Sequence, residues 1–151
     1  MIEGVKIKKL KYIPDSRGRL MEIFRNDDDI FIQFGQVYMT TTYPGVVKAW
    51  HYHKKQTDNV VVFKGILRVG LYDDRKDSST YKEINEFFIG DYNPILLSIP
   101  PQIYHGWKCV SLEEGIAVNI STHVYDHNDP DEYRLDPHDN FISFDWNKKD
   151  G

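Results

Sequence analysis

Short runs of β-branched, aliphatic and aromatic residues, broken by Gly, Pro, Asn and Asp, recur along the whole chain and leave little room for helices. They cover Leu20 to Phe24, Gln36 to Thr42, Val46 to His51, Asn59 to Phe63, Ile66 to Tyr72, Leu96 to Ile99 and Ile116 to Ser121. Runs of this length separated by turn residues read as strands, and their spacing predicts an all-β sandwich or barrel. In Ile66 to Tyr72, residues Leu67, Val69 and Leu71 share a face, because strand side chains alternate. That face is expected to be core, leaving the mixed opposite face to solvent or a cavity. The charged run Asp73 to Ser79 reads as a solvated loop. From Asp126 onward the composition turns to Asp, Asn, His, Pro and Tyr before closing in Phe141-Ile142-Ser143-Phe144-Asp145-Trp146. Such a tail is too aromatic for plain disorder. It is expected to be short and irregular, to open a single helical turn at Asp131 and Glu132 after Pro130, to dock Trp146 on the domain and to bring a residue to a pocket.

The 151 residues fit one domain, residues 1–151, with no repeat or linker. A formal charge of −4 with scattered lysines offers no basic field for a nucleic acid backbone. No apolar run is long enough to span a bilayer, and Met1 to Lys6 lacks a signal-peptide profile. Cys109 is the single cysteine, so no internal disulfide framework exists, and a small buried thiol in a reducing cytoplasm is expected. Aromatic residues at 14% favour a ring-lined pocket, with Trp50 and Trp107 expected in the core or pocket wall.

Histidines locate the chemistry. His51 and His53 lie two residues apart in Gly45-Val46-Val47-Lys48-Ala49-Trp50-His51-Tyr52-His53, so on a strand they face the same way. Pro100-Pro101-Gln102-Ile103-Tyr104-His105 supplies a third on another run. The spacing Gly45, His51, His53, Asp58, Gly65 resembles the first cupin motif, and His105 stands where the histidine of the second motif falls. In metal cupins that pattern implies a divalent ion on His51, His53, Asp58 and His105, a donor set suited to zinc, iron, nickel or manganese. The plainer reading has His51 and His53 lining a wet groove.

Taken together, the motifs resemble the dTDP-4-dehydrorhamnose 3,5-epimerase family. Asp15-Ser16-Arg17-Gly18-Arg19-Leu20-Met21-Glu22 is similar to its D-x-R-G-x-F-x-E segment. Gln36 to Thr42 stands for Q-x-N-x-S-x-S, Val46 to Tyr52 for V-L-R-G-L-H-Y, Pro101 to Trp107 for P-x-G-F-A-H-G-F, and Asp139 to Trp146 for D-P-x-L-x-I-x-W. The matches run in order from Asp15 to Trp146. The resemblance implies a cupin jelly roll and a metal-independent carbohydrate isomerase that needs no cofactor. Its substrate would be a nucleotide-linked 4-keto-6-deoxy sugar used in surface or spore-coat polysaccharide synthesis.

By the same resemblance His51 is the general base, oriented by Asp139, with Asp136 a nearby substitute. A neutral imidazole works near pH 7, and hydrogens next to a carbonyl are removable because an enolate results. His105, with Lys48, would stabilise that enolate. Arg17, Glu22 and Gln36, with Lys48, would hold the nucleotide, arginine pairing two phosphate oxygens at once. A homodimer is implied, with Arg17 acting in the partner's pocket. His123 and His127 are expected in solvent, and His138 beside Asp139.

The departures bear on the chemistry. Asn119 stands where the family has its proton-donating tyrosine, and an amide cannot donate in that way. Asp58 replaces a lysine, Lys48 an arginine and Tyr38 an asparagine. Candidates to replace the missing phenol are Tyr38, Tyr104, Tyr52 and Tyr125, and His53 is a candidate second proton carrier. With these changes a single inversion or an aldose–ketose shift competes with double epimerisation. A metal cupin and a non-catalytic sugar-nucleotide binder are the rival classes.

Overall fold

A computed structural model describes residues 1–147, and among them every regular element is a strand. In chain order they are β1 (Lys6–Lys9), β2 (Tyr12–Asp15), β3 (Gly18–Met21), β4 (Gln36–Thr42), β5 (Val47–Tyr52), β6 (Asp58–Lys64), β7 (Ile66–Asp73), β8 (Ile84–Gly90), β9 (Ile95–Ile99), β10 (Ile103–Cys109), β11 (Gly115–Ser121) and β12 (Tyr133–Arg134). Two antiparallel five-stranded sheets, ordered β1-β9-β6-β11-β4 and β12-β5-β10-β7-β8, form the sandwich, with β2-β3 as a separate hairpin. This is the all-β architecture expected from the apolar runs.

The main core lies between the sheets. Val60, Val62, Leu97 and Ala117 of the first sheet meet Leu67, Val69, Leu71, Ile89 and Trp107 of the second. Ile2 and Val5 close one end. Toward β4, β5 and β12 the apolar filling gives way to polar side chains, and a cavity opens there.

Three expectations are corrected. The second face of β7 is not open: Arg68, Gly70 and Tyr72 are buried along with Leu67 and Leu71. The closing aromatic segment covers them, since Trp146 is 1% exposed and packs on Trp50 with ring centroids 4.9 Å apart. Asp73 is likewise no solvated residue. It is fully buried and accepts hydrogen bonds from Arg75, Ser78 and Thr80, which fasten the following loop. The tail forms no helical turn at Asp131 and Glu132; β12 pairs with β5 instead.

Candidate active site

The cavity occupies about 990 Å³ between the sheets and beneath the tail. Its size suits an organic ligand larger than a single sugar. Gln36, Tyr38 and Thr40 line it from β4, Asn119 from β11, Asp58 from β6, His51 from β5, His105 and Trp107 from β10, and Arg134 from β12. On β4 the intervening Met39 faces outward and is exposed, as strand alternation requires, while Val37, also exposed, touches the cavity at this sheet edge.

Register sets a row of three basic residues. His51 lies opposite His105 on one side and opposite Arg134 on the other. The His51 ring is 5.9 Å from that of His105 and 6.2 Å from Trp107, centroid to centroid. Burial, then the neighbouring charges of His105, Arg134 and His53, pull its pKa down to about 3 against the weaker pull of Asp58. His51 is therefore neutral at pH 7, the form from which a general base acts.

Asp58 organises the centre. It is 3% exposed, and its Oδ2 accepts from Nε2 of His53 at 3.2 Å and Nε2 of His105 at 3.1 Å. Its Oδ1 accepts from Gln56 at 2.6 Å and from Asn119 at 2.8 Å. Burial works to raise the Asp58 pKa, but the bonds from His105 and His53 outweigh it and hold the group well below the carboxylate range. For His53 burial works downward and is outweighed by the bond to Asp58, giving a pKa of about 8. Nδ1 of His53 bonds the Asp131 carbonyl and Nδ1 of His105 the Ile103 carbonyl, so both nitrogens of each ring are committed.

The four-ligand metal set of the cupin pattern is not assembled as such. Among the described residues only His53, Asp58 and His105 bring ligand atoms within 4.8 Å of one another, and His51 stands outside that group. The three fit a divalent ion by type and spacing. They are also complete as a hydrogen-bond cluster, since four donors serve the two oxygens of Asp58.

Other sequence-predicted residues divide into two groups. Gln36, Tyr38, Lys48, His53 and Asn119 line the cavity. Lys48 spends two donors on Thr40 Oγ1 and the Thr41 carbonyl, and Gln36 accepts from the Tyr125 amide. Arg17 and Glu22 lie away from it on and beside the β2-β3 hairpin, paired with Asp15 and Arg25. Asp139 does not meet His51. The Asp136 carboxylate accepts the N–H groups of His138 and Asp139 and closes a local turn, leaving Asp136, His138 and Asp139 at the surface. His123 and His127 line the cavity mouth while remaining exposed. Tyr52 and Tyr104 stack on each other at 4.8 Å and do not line the cavity; Tyr125 stands at its rim.

Two tail residues take roles at the site that the sequence pattern around them does not signal. Arg134 joins the basic row, and Asp131 accepts the backbone N–H groups of Lys54, Lys55 and Gln56, fixing the loop between His53 and Asp58. Asp131 follows Pro130 in a polar stretch, which signals a turn but not its partner.

Comparison with known proteins places the chain in a lineage. The chain matches the family model for dTDP-4-dehydrorhamnose 3,5-epimerase over residues 1–151. It is 43% identical over 148 residues to a probable low-salt glycan biosynthesis epimerase of Haloferax volcanii, covering 97% of this chain and 95% of that protein. It is 40% identical over 147 residues to the spore coat polysaccharide biosynthesis protein SpsL of Bacillus subtilis, covering 97% of each. The crystal structure of a dTDP sugar isomerase from Desulfovibrio desulfuricans matches with a TM-score of 0.92 at 30% identity, covering 99% of this chain and 94% of that one. Similarity that runs through both sheets, the histidine strands and the tail leaves one conclusion: the chain belongs to the dTDP-4-dehydrorhamnose 3,5-epimerase family.

Proposed function

We propose that the protein inverts a carbon next to the keto group of a nucleotide-linked 4-keto-6-deoxy sugar, in the assembly of a surface or spore-coat polysaccharide. One observation carries this reading: a neutral, half-buried His51 faces a nucleotide-sugar-sized cavity whose other wall is built from a separate sheet. His51 takes the proton, the C–H electron pair becomes part of a carbon–carbon double bond, and the carbonyl electrons move onto oxygen. That oxygen is met by positive groups. Lys48 keeps one donor beyond those held by Thr40 and Thr41, while protonated His53, whose two ring nitrogens are held by Asp58 and Asp131, adds charge to the same cavity but no free donor. His105 then acts through Asp58, whose carboxylate it holds, rather than as a free donor.

No cofactor is required for this chemistry, and Cys109, buried and unpaired, accords with a cytoplasmic setting. No helix among the described residues is long and apolar enough to cross a membrane. A homodimer is part of the proposal. β4 is a sheet edge whose outer face exposes Val37 and Met39, and the hairpin carrying Arg17 also exposes Ile13 and Leu20. Pairing through these surfaces would let Arg17 serve the partner's cavity.

Incubating a panel of 4-keto nucleotide sugars in heavy water tests the function. Label is expected at C3 or C5 with wild-type protein and is lost in His51→Asn. Binding without label would leave a non-catalytic sugar-nucleotide binder.

A further inference from the structure

Inversion needs a second group, on the opposite face of the sugar from the base, to return a proton. Asn119 occupies the place where the family's tyrosine is expected, and its amide is spent. Its Oδ1 accepts the Asn59 backbone N–H at 3.0 Å, which fixes the amide's orientation. Its Nδ2 then directs one hydrogen to Asp58 Oδ1 at 2.8 Å and the other to the Tyr38 hydroxyl at 3.0 Å. All of its hydrogen-bonding capacity apart from one carbonyl lone pair is used.

Tyr38 is the cross-strand partner of Asn119, directly opposite it in the β4-β11 ladder. Facing residues in such a ladder lie about 5 Å apart at Cβ, so a phenol moved from one to the other serves the same part of a cavity. Resting on the epimerase reading, we propose that Tyr38 is the catalytic acid, and that the proton-donating phenol has moved one strand sideways, from β11 to β4, with Asn119 kept to hold its oxygen.

Hydrogen-bond direction supports the assignment. The Tyr38 oxygen accepts from Asn119, so its own proton is not used in that bond, and among the described residues no acceptor takes it. Tyr38 is 42% exposed and lines the cavity, so a bound sugar can reach that proton. Burial and the Asp58 charge raise its pKa against the Asn119 bond, keeping the phenol protonated until an enolate forms. Placement supplies the stereochemistry: His51 projects from the β12-β5-β10-β7-β8 sheet and Tyr38 from the other.

The step balances. The C=C electron pair of the enolate forms the new C–H bond to the Tyr38 proton, a lone pair of the enolate oxygen re-forms the carbonyl, and the O–H pair stays on Tyr38 as a phenolate that accepts the Asn119 N–H. Imidazolium and phenolate are reset by solvent proton exchange through the open mouth. Of the other tyrosines considered, Tyr52 and Tyr104 are packed outside the cavity, and Tyr125 has no donor aimed at its oxygen among the described residues.

The test compares wild type, Tyr38→Phe, Tyr125→Phe and His51→Asn on a 4-keto nucleotide sugar in heavy water, following both label uptake and inverted product by NMR. Tyr38→Phe is expected to keep label uptake, because His51 still removes and returns the proton on its own face. Inversion is expected to fall by about 100-fold or more, the scale of a general acid. His51→Asn should lose both. Inversion by Tyr38→Phe within about threefold of wild type, or its loss in Tyr125→Phe instead, overturns the proposal. A Tyr38→Phe protein with native melting behaviour that loses uptake as well as inversion also overturns it, since Tyr38 then acts before proton removal. No uptake by wild type across the sugar panel overturns the epimerase reading and this assignment with it.

Discussion

His53 and Asp58 form a buried pair, Nε2 to Oδ2 at 3.2 Å, with the His53 side chain only 12% exposed. Its folded pKa of about 8 lies above the ordinary histidine value near 6.5, so the stability it adds is fully present below about 6.5 and is lost as pH rises through 8. The shift corresponds to about 2 kcal/mol. His51 has the opposite sign. With its pKa lowered to about 3, its contribution is present above about 6.5 and is lost as pH falls toward 3. Melting temperature is expected to crest near pH 6.5 to 7. His53→Gln should flatten the alkaline side and His51→Asn the acid side, and unchanged limbs in both variants would show that neither ring carries these shifts.

Asp58 satisfies two imidazoles and two side-chain amides at once, so its removal leaves several buried donors without an acceptor. Asp58→Ala is expected to cost about 3–5 kcal/mol in urea unfolding, the range for breaking a buried charge pair. The same completeness bears on metal. Treatment with EDTA followed by desalting is expected to leave epimerisation rate and melting temperature unchanged. Stoichiometric zinc, iron, nickel or manganese in the purified protein, with activity lost on chelation, would make His53, Asp58 and His105 a ligand set instead.

Arg134 adds a positive charge beside His51 from the tail. Removing it relieves the repulsion that opposes a protonated His51, so the His51 pKa rises. In Arg134→Ala the acid limb of kcat/KM is expected to move to higher pH. KM for the nucleotide sugar should rise as well, because a cation at the mouth of the cavity is lost. A pH profile superimposable on wild type would remove Arg134 from the surroundings that tune the base.

Local patterns were legible where they depend on neighbours in sequence. Gln36 to Thr42 forms β4 with the bounds read from the apolar run, and His51 and His53 both reach the cavity, His53 from just beyond the end of β5. β8 and β10 are weakly marked in the sequence because Asn85, Glu86, His105, Gly106 and Lys108 dilute their apolar pattern. Long-range partnerships were harder to see. Position in a motif pairs Asp139 with His51, yet the turn closed by Asp136 keeps it at the surface. The Tyr38–Asn119 pair spans 81 positions and exists only through the β4-β11 register. Registers of that kind follow from which faces are buried together, and a single sequence states that only weakly.

The tail stabilises the fold through its cover over β7. A Cβ at Gly70 would stand 3.1 Å from Phe144, Trp146 and Trp50, so the absence of a side chain there admits all three rings. Trp146 is 1% exposed and also meets Phe144 at 4.5 Å between ring centroids. Trp146→Ala is expected to cost about 3–5 kcal/mol by urea denaturation, as for other buried aromatic truncations. Gly70→Ala should destabilise through crowding, by about 1–3 kcal/mol. Both changes act on one contact, so the double variant should lose less than the two single losses added together, because the space emptied by Trp146→Ala admits the new methyl. Full additivity would mean that Gly70 and the tail are energetically separate, contrary to the packing.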